Sequence, residues 1–235
     1  MRRSFLVLLF LVVAAPLSFA QSTTDDQSPE FFVGYSNLQS EGIVGLEQQT
    51  TTQNPIDRAF GDREGLNGVV GAVTGFITPR FGITGDFSYH QDSREFIGTG
   101  NSDNTLATRR FNFHAGPAFK FRNESRVTPF VHALAGVAAT RFDAETTTRT
   151  TTGTTTTTTR NEFDVNSTDF SLMVGGGLDV RLSDRVAIRA IQFDYNPVFF
   201  RDRSIESLSS TGVIRPNLES QRADNIRISV GVVFK

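Results

Sequence analysis

Cysteine and tryptophan are absent from this chain, and tyrosine occurs only three times among its 235 residues. Without cysteine, no disulfide can staple the loops and no lipid-bearing cysteine can follow an export signal. Long apolar runs are also missing. The longest, Phe5 to Ala15, has eleven residues, and a membrane-spanning helix needs about 20. Charge of one sign is not in excess either: the formal net charge is −2, falling to −4 if Arg2 and Arg3 are removed. A chain without a basic excess is not built for nucleic acid. Without tryptophan, any interfacial aromatic belt must be made of tyrosine and phenylalanine.

The apolar run reads as part of an export signal. Arg2 and Arg3 precede it and Ser18-Phe19-Ala20 follows it as a small-x-small cleavage site. This predicts a signal peptide over 1–20, a polar periplasmic tail over 21–29 and one domain over 30–235. The roughly 215 residues left after cleavage suit a single all-β domain of about eight strands.

Strand periodicity supports that reading. In 170–182, Phe170, Leu172, Val174, Leu178, Val180 and Leu182 share one face, and Ser171, Met173, Gly175, Gly177, Asp179 and Arg181 share the other. A period of 2 is the mark of a strand. Similar blocks predict strands at about 30–38, 66–78, 80–90, 108–122, 126–142, 167–182, 184–198 and 223–234. Three connections are tight: Thr78-Pro79-Arg80, Arg122 to Arg126, and Leu182-Ser183-Asp184. Four are long and polar, near 39–65, 91–107, 143–166 and 199–222. Short periplasmic turns alternating with long external loops describe a transmembrane β-barrel. The predicted fold is therefore all-β, an eight-stranded antiparallel up-and-down barrel. Its mean hydropathy of −0.20 is compatible, because only every second strand residue must face lipid.

The aromatics fit this orientation. Tyr35, Tyr89 and Tyr195 each lie late in an outward-running strand and form a predicted external belt. Phe31, Phe81, Phe121 and Phe234 lie at the opposite ends and form a predicted periplasmic belt. Two strands read imperfectly. Val69-Val70-Gly71-Ala72-Val73 is apolar or small on both faces, so its register is open. In 184–198 the apolar phase switches near Ala190-Ile191, which predicts a β-bulge. Without it Gln192 and Asp194 would face lipid.

Alternation points Asp86, Arg110, His114, Lys120, His132, Asp179, Arg181, Arg189, Asp194 and Arg227 inward. An eight-stranded barrel is just wide enough to be filled by side chains, and buried charges persist when paired. The expected lumen is a network of Asp86, Arg110, Lys120, Asp179, Arg181, Arg189, Asp194 and Arg227. Asp179 is its expected acidic centre near the periplasmic end. A catalytic alternative is Asp86, Ser88 and His90, an acid, a hydroxyl and a base on one face of a strand. Residues two apart along a strand are about 7 Å apart, too far for a working triad. His114 and His132 lack a third ligand for a metal site. The sequence thus predicts no enzyme and no cofactor.

The segment Thr146–Arg160 carries twelve threonines broken by Arg149 and Gly153. Threonine favours extended chain, so this is either a hairpin turning near Gly153 or an unstructured polar loop.

Together these residues resemble the OmpA-like outer-membrane β-barrel family. The resemblance rests on Phe32-Val33-Gly34-Tyr35-Ser36, on Phe81 to Ser88, on Gly116-Pro117 and on Arg126-Val127-Thr128-Pro129-Phe130. Gly175-Gly176-Gly177-Leu178-Asp179-Val180, Arg189 to Tyr195 and Ile228 to Phe234 complete it. It implies location in the cell outer membrane and insertion by the barrel assembly machinery, which reads a final strand usually ending in an aromatic. Here Phe234 is penultimate. No peptidoglycan-binding domain follows, so the anchoring role of longer relatives is not implied. The expected surroundings are outer-membrane lipid and lipopolysaccharide, with the chain a monomer.

Three functional readings follow. The first is a barrel with a structural or surface-contact role. The second is a narrow, porin-like channel for small solutes. The third, a soluble lipocalin-like binder, needs an apolar interior, and the inward Arg and Asp residues argue against it.

Overall fold

The computed structural model describes residues 28–40, 64–98, 102–152, 155–201, 203–204, 207–209, 212–214, 217–218 and 221–235. The expected signal peptide, nearly all of the tail, and 41–63 of the first long loop lie outside them. Twelve strands follow in order: β1 (Glu30–Ser40), β2 (Glu64–Phe76), β3 (Phe81–Gly98), β4 (Ser102–Lys120), β5 (Val127–Thr152) and β6 (Thr155–Arg181). After them come β7 (Val186–Phe200), β8 (Arg203–Ser204), β9 (Ser207–Ser209), β10 (Gly212–Ile214), β11 (Asn217–Leu218) and β12 (Gln221–Phe234). Eight of these close a barrel in the order β1-β12-β7-β6-β5-β4-β3-β2, every pair antiparallel. Each predicted strand is present.

The three tight turns have local causes. Thr78 Oγ1 accepts from the Phe81 amide at 3.0 Å. Asn123 Oδ1 accepts from the Ser125 amide at 3.0 Å, a side chain standing in for a backbone turn. In the third turn the Leu182 amide donates to Val186 O at 3.0 Å. At this short-turn end, which is periplasmic in barrels of this kind, lie the start of β1 and the end of β12.

The long connections are where the structure departs from expectation. Residues 91–107 and 143–166 are mostly strand. The β3–β4 ladder runs up to Gly98↔Ser102, and the β5–β6 ladder to Thr152↔Thr155. The threonine segment is therefore paired strand up to Thr152 and from Thr155, and the expected turn at Gly153 lies outside the described residues. Residues 199–222 hold two small pairs, β9 with β10 and β8 with β11. Sequence alternation fades above the membrane because both faces there meet water, while backbone pairing continues.

The phase switch in β7 is also present. β12 pairs Ser229 with Gln192 but Gly231 with Arg189, and β6 pairs Leu178 with Ile191 but Asp179 with Arg189. The extra residue at Ala190 makes a bulge, and Gln192 and Asp194 point inward, both buried. In β2, Leu66, Val70 and Ala72 face the lumen and Val69 faces out.

The outer surface is apolar: Val33, Phe87, Phe113, Val131, Phe170, Val174 and Phe193 are all exposed. The lumen is not wholly polar. Phe32, Val70, Ala72, Ala187 and Val233 form an apolar cluster on the β1–β2–β12–β7 side. Beside the expected polar and charged side chains, the lumen thus holds an apolar cluster. β2 is apolar or small on both faces, and the charges of β7 and β12 stand beside the cluster, with the Arg189 guanidinium over the Phe32 ring.

The residues of the two expected belts lie at opposite ends of the barrel. Phe31 and Phe234 are ladder partners, and Phe31, Phe81, Phe121 and Phe234 are exposed at the short-turn end. Each tyrosine hydroxyl at the other end donates to a polar residue: Tyr35 to Asn67, Tyr89 to Gln91 and Tyr195 to Asp224.

Candidate functional site

Among the described residues, buried polar chemistry concentrates in the lumen, and it is organised in levels. Mid-barrel, Arg227 on β12 sends Nη1 and Nη2 to the two oxygens of Asp86 on β3, at 2.7 and 2.8 Å. Its Nε donates to Asp194 Oδ2 on neighbouring β7 at 2.8 Å. β12 and β3 stand three places apart around the barrel, so this fork crosses the lumen. Asp194 also meets His132 Nε2 at 2.9 Å and accepts from Gln192 Nε2 at 2.7 Å. Arg227 and Asp194 are wholly buried.

Nearer the short turns, Asp179 takes Lys120 Nζ at 2.6 Å and Arg189 Nε at 2.8 Å. Lys120 also pairs with Glu30, and Arg122 Nη2 reaches Glu30 Oε1 at 3.1 Å. The Arg189 guanidinium lies over the rings of Phe32 and Phe130, at 4.2 and 4.0 Å from their centroids. Gln192 ties the two levels together by accepting from Arg189 Nη1 at 2.8 Å while donating to Asp194. A cavity of only about 10 Å³ lies between them, touching Asp86, His132, Arg189 and Gln192. One water needs about that much space.

Toward the hairpin end, Arg110 on β4 donates to Thr140 Oγ1 at 3.0 Å and to Asn225 Oδ1 at 3.1 Å. β4 and β12 are diametrically opposite in the barrel. His114 Nε2 lies 2.6 Å from Ser171 Oγ and accepts from Asn196 Nδ2 at 3.3 Å. Four buried atoms at these levels, His90 Nδ1, Asn112 Oδ1, His114 Nδ1 and Asn196 Oδ1, have no protein partner.

The inward set from the sequence is thus brought together, with one correction. Arg181 is in the inward phase but sits exposed at the short-turn mouth, beyond the paired network, because alternation gives the side of a strand and not the depth. Glu30, Asn196 and Asn225 were missed. Glu30 lies at the first strand position, next to the expected tail, and its role depends on a partner across the lumen. Asp86, Ser88 and His90 part company: Asp86 holds Arg227, Ser88 accepts from Asn112 at 3.2 Å, and His90 Nε2 lies 2.9 Å from Ser36 Oγ.

Solved structures similar to this chain include Ail, the attachment invasion locus protein of Yersinia pestis, at 14% identity. That match covers 88% of this chain and 97% of Ail, with a TM-score of 0.43. Neisserial surface protein A matches at 11% identity over 88% and 96% of the two chains, with a TM-score of 0.45. OprG from Pseudomonas aeruginosa matches at 10% identity over 88% and 94%, also at 0.45. No curated protein matches the chain. The model of the outer membrane protein beta-barrel domain spans residues 5–234, and with the closed eight-stranded barrel just described, the chain belongs to that outer-membrane family.

Proposed function

We propose that this outer-membrane barrel is a closed, non-enzymatic scaffold whose work is surface contact. The observation that carries the reading is Arg227, fully buried and forked across the lumen onto Asp86 while held by Asp194. A guanidinium fixed by two carboxylates blocks a lumen already narrow. The cross-barrel tie from Arg110 to Asn225 supports the same closure at a second depth. The dispersal of Asp86, Ser88 and His90 onto separate partners supports a non-catalytic reading.

Surface contact is supported by the long hairpins. A tilted membrane strand needs about 9–11 residues, whereas β5 has 26 and β6 has 27. The stretch of β6 before Phe170 pairs with β5 and not with β7. Its backbone edge suits strand addition by a partner.

In the outer leaflet we place lipopolysaccharide against Arg109 and Arg141. They are ladder partners on the outer face, one row beyond Phe111, whose ring lies 4.6 Å from that of Tyr89, and share Asp143 at 3.3 and 2.9 Å. Guanidinium groups on the outer face suit the phosphates of lipopolysaccharide. The chain is taken to be a monomer inserted by the assembly machinery, with no nucleic-acid partner. Conductance of the purified barrel in a planar bilayer tests the main claim. Silent membranes are expected, and stable steps of porin size would replace the scaffold with the channel reading.

A further inference from the structure

The short-turn mouth opens on a cavity of about 90 Å³ lined by Glu30, Lys120, Arg122, Asp179, Arg181 and Lys235, with Asn123 and Thr128 among its neutral groups. The space holds several waters at about 10–15 Å³ each, so a carboxylate or phosphate group fits. Four cationic side chains face two acidic ones, and with the α-carboxylate of Lys235 counted as a third acid one positive charge is left over. Glu30 and Asp179 are already engaged: Glu30 by Lys120 and Arg122, Asp179 by Lys120 and Arg189. The side chains of Arg181 and Lys235 have no partner among the described residues, and both are exposed. The surplus positive charge therefore sits at the lip, with the paired cations behind it. Asn123 and Thr128 add neutral donors beside it.

We propose that this mouth is an oxyanion-binding site, in which Arg181 and Lys235 grip a phosphate or carboxylate group presented from the periplasmic side. Charge-assisted hydrogen bonds from a guanidinium fork suit such a group. The paired Lys120 and Arg122 hold the floor of the site in place and add to its positive field. Oxyanion chemistry has two available sources here, a free small anion or the headgroup of an anionic phospholipid in the inner leaflet.

The test uses inorganic phosphate titrated onto the full-length folded barrel in a zwitterionic detergent, followed by calorimetry, with chloride at equal ionic strength as reference. Saturable binding by phosphate and not by chloride is expected. Arg181→Gln combined with Lys235→Gln should weaken it at least tenfold, and Arg126→Gln, in a turn outside the cavity, should leave it unchanged. Heat-dependent gel mobility confirms that each variant is folded. If the pair does not fold, Lys235→Gln alone, at the end of the chain, should still weaken binding by severalfold. A wild type that binds no phosphate, or a double variant that binds as well as wild type, overturns the proposal. Repeating the titration in phosphatidylglycerol and phosphatidylcholine vesicles identifies the source. Weaker phosphate binding in phosphatidylglycerol means that the headgroup occupies the site, and equal binding assigns it to a free anion.

Discussion

Two levels of the lumen use the same chemistry under different conditions. Mid-barrel, Arg227, Asp86 and Asp194 are all buried. At the mouth, Lys120 and Arg189 share Asp179, but Arg122 is partly exposed and an open cavity touches the group. A buried charge survives only with a full set of partners. Mid-barrel that set is two carboxylates. At the mouth, aromatic faces take part of the role: Arg189 over Phe32 and Phe130, and Arg122 over Phe76 at 4.6 Å. Cation–ring attraction is worth about 0.5–2 kcal/mol, less than a second buried carboxylate supplies. The middle level is therefore rigid and specific, whereas the mouth tolerates exchange with solvent.

The largest effect is expected from Arg227→Ala. It leaves Asp86 and Asp194 buried without their common cation, which should cost about 3–5 kcal/mol. Urea unfolding from lipid vesicles reads this as a lowered midpoint. An unchanged midpoint would mean that water reaches the two carboxylates, and the middle level would then be no drier than the mouth.

Asp179→Ala should cost less, about 3 kcal/mol, the lower end of the same range. Glu30 still holds Lys120, the rings still hold Arg189, and the cavity lets water in. The neighbouring Val180→Leu, on the outer face, should stay below about 1.5 kcal/mol. Equal losses for Arg227→Ala and Asp179→Ala would erase the contrast between the levels.

A steric route to the middle level is Gly175→Ala. A Cβ there would stand 2.1 Å from Asp194 Oδ1 and 2.4 Å from Phe193 O. Oδ1, the oxygen that meets His132, must give way together with the Phe193 carbonyl, which shifts the carboxylate that holds Arg227, at a cost of about 1–3 kcal/mol. Gly85→Ala meets nothing within 4 Å and should stay within about 0.5 kcal/mol. If both variants unfold at the same urea concentration, the position of Asp194 is not critical.

Much of this was legible in the sequence, because a strand in a bilayer has only two faces and each faces a different medium. The inward charges, both belts and the bulge at Ala190 follow from that rule. Depth and partners across the lumen do not, since they depend on how far each strand is staggered against its neighbours. That is why Arg181 was placed in the network although it sits at the rim, and why Glu30 and Asn225 went unnoticed. The extended hairpins were left between two readings, hairpin or unstructured loop, for the opposite reason. Above the membrane no lipid faces the sheet, so the Thr146–Arg160 segment carries no alternation to read.

The smallest effect sets the scale for the rest. Arg109 and Asp143 form an arginine–aspartate pair on the outer face, 3.3 Å apart and 47% and 31% exposed. It has the same two chemical groups as the mid-barrel pair. Exposed pairs are worth about 0–1 kcal/mol, so Arg109→Ala should lower the urea midpoint only slightly. Salt separates the two environments further. Raising ionic strength from about 0.1 M to about 1 M shortens the screening length from about 10 Å to about 3 Å. The small Arg109→Ala loss should then largely vanish, because ions reach both partners. The Arg227→Ala loss should not change, because ions cannot enter the closed lumen. If salt reduced both losses in proportion, ions would be reaching Arg227, and a lumen open to ions is a channel.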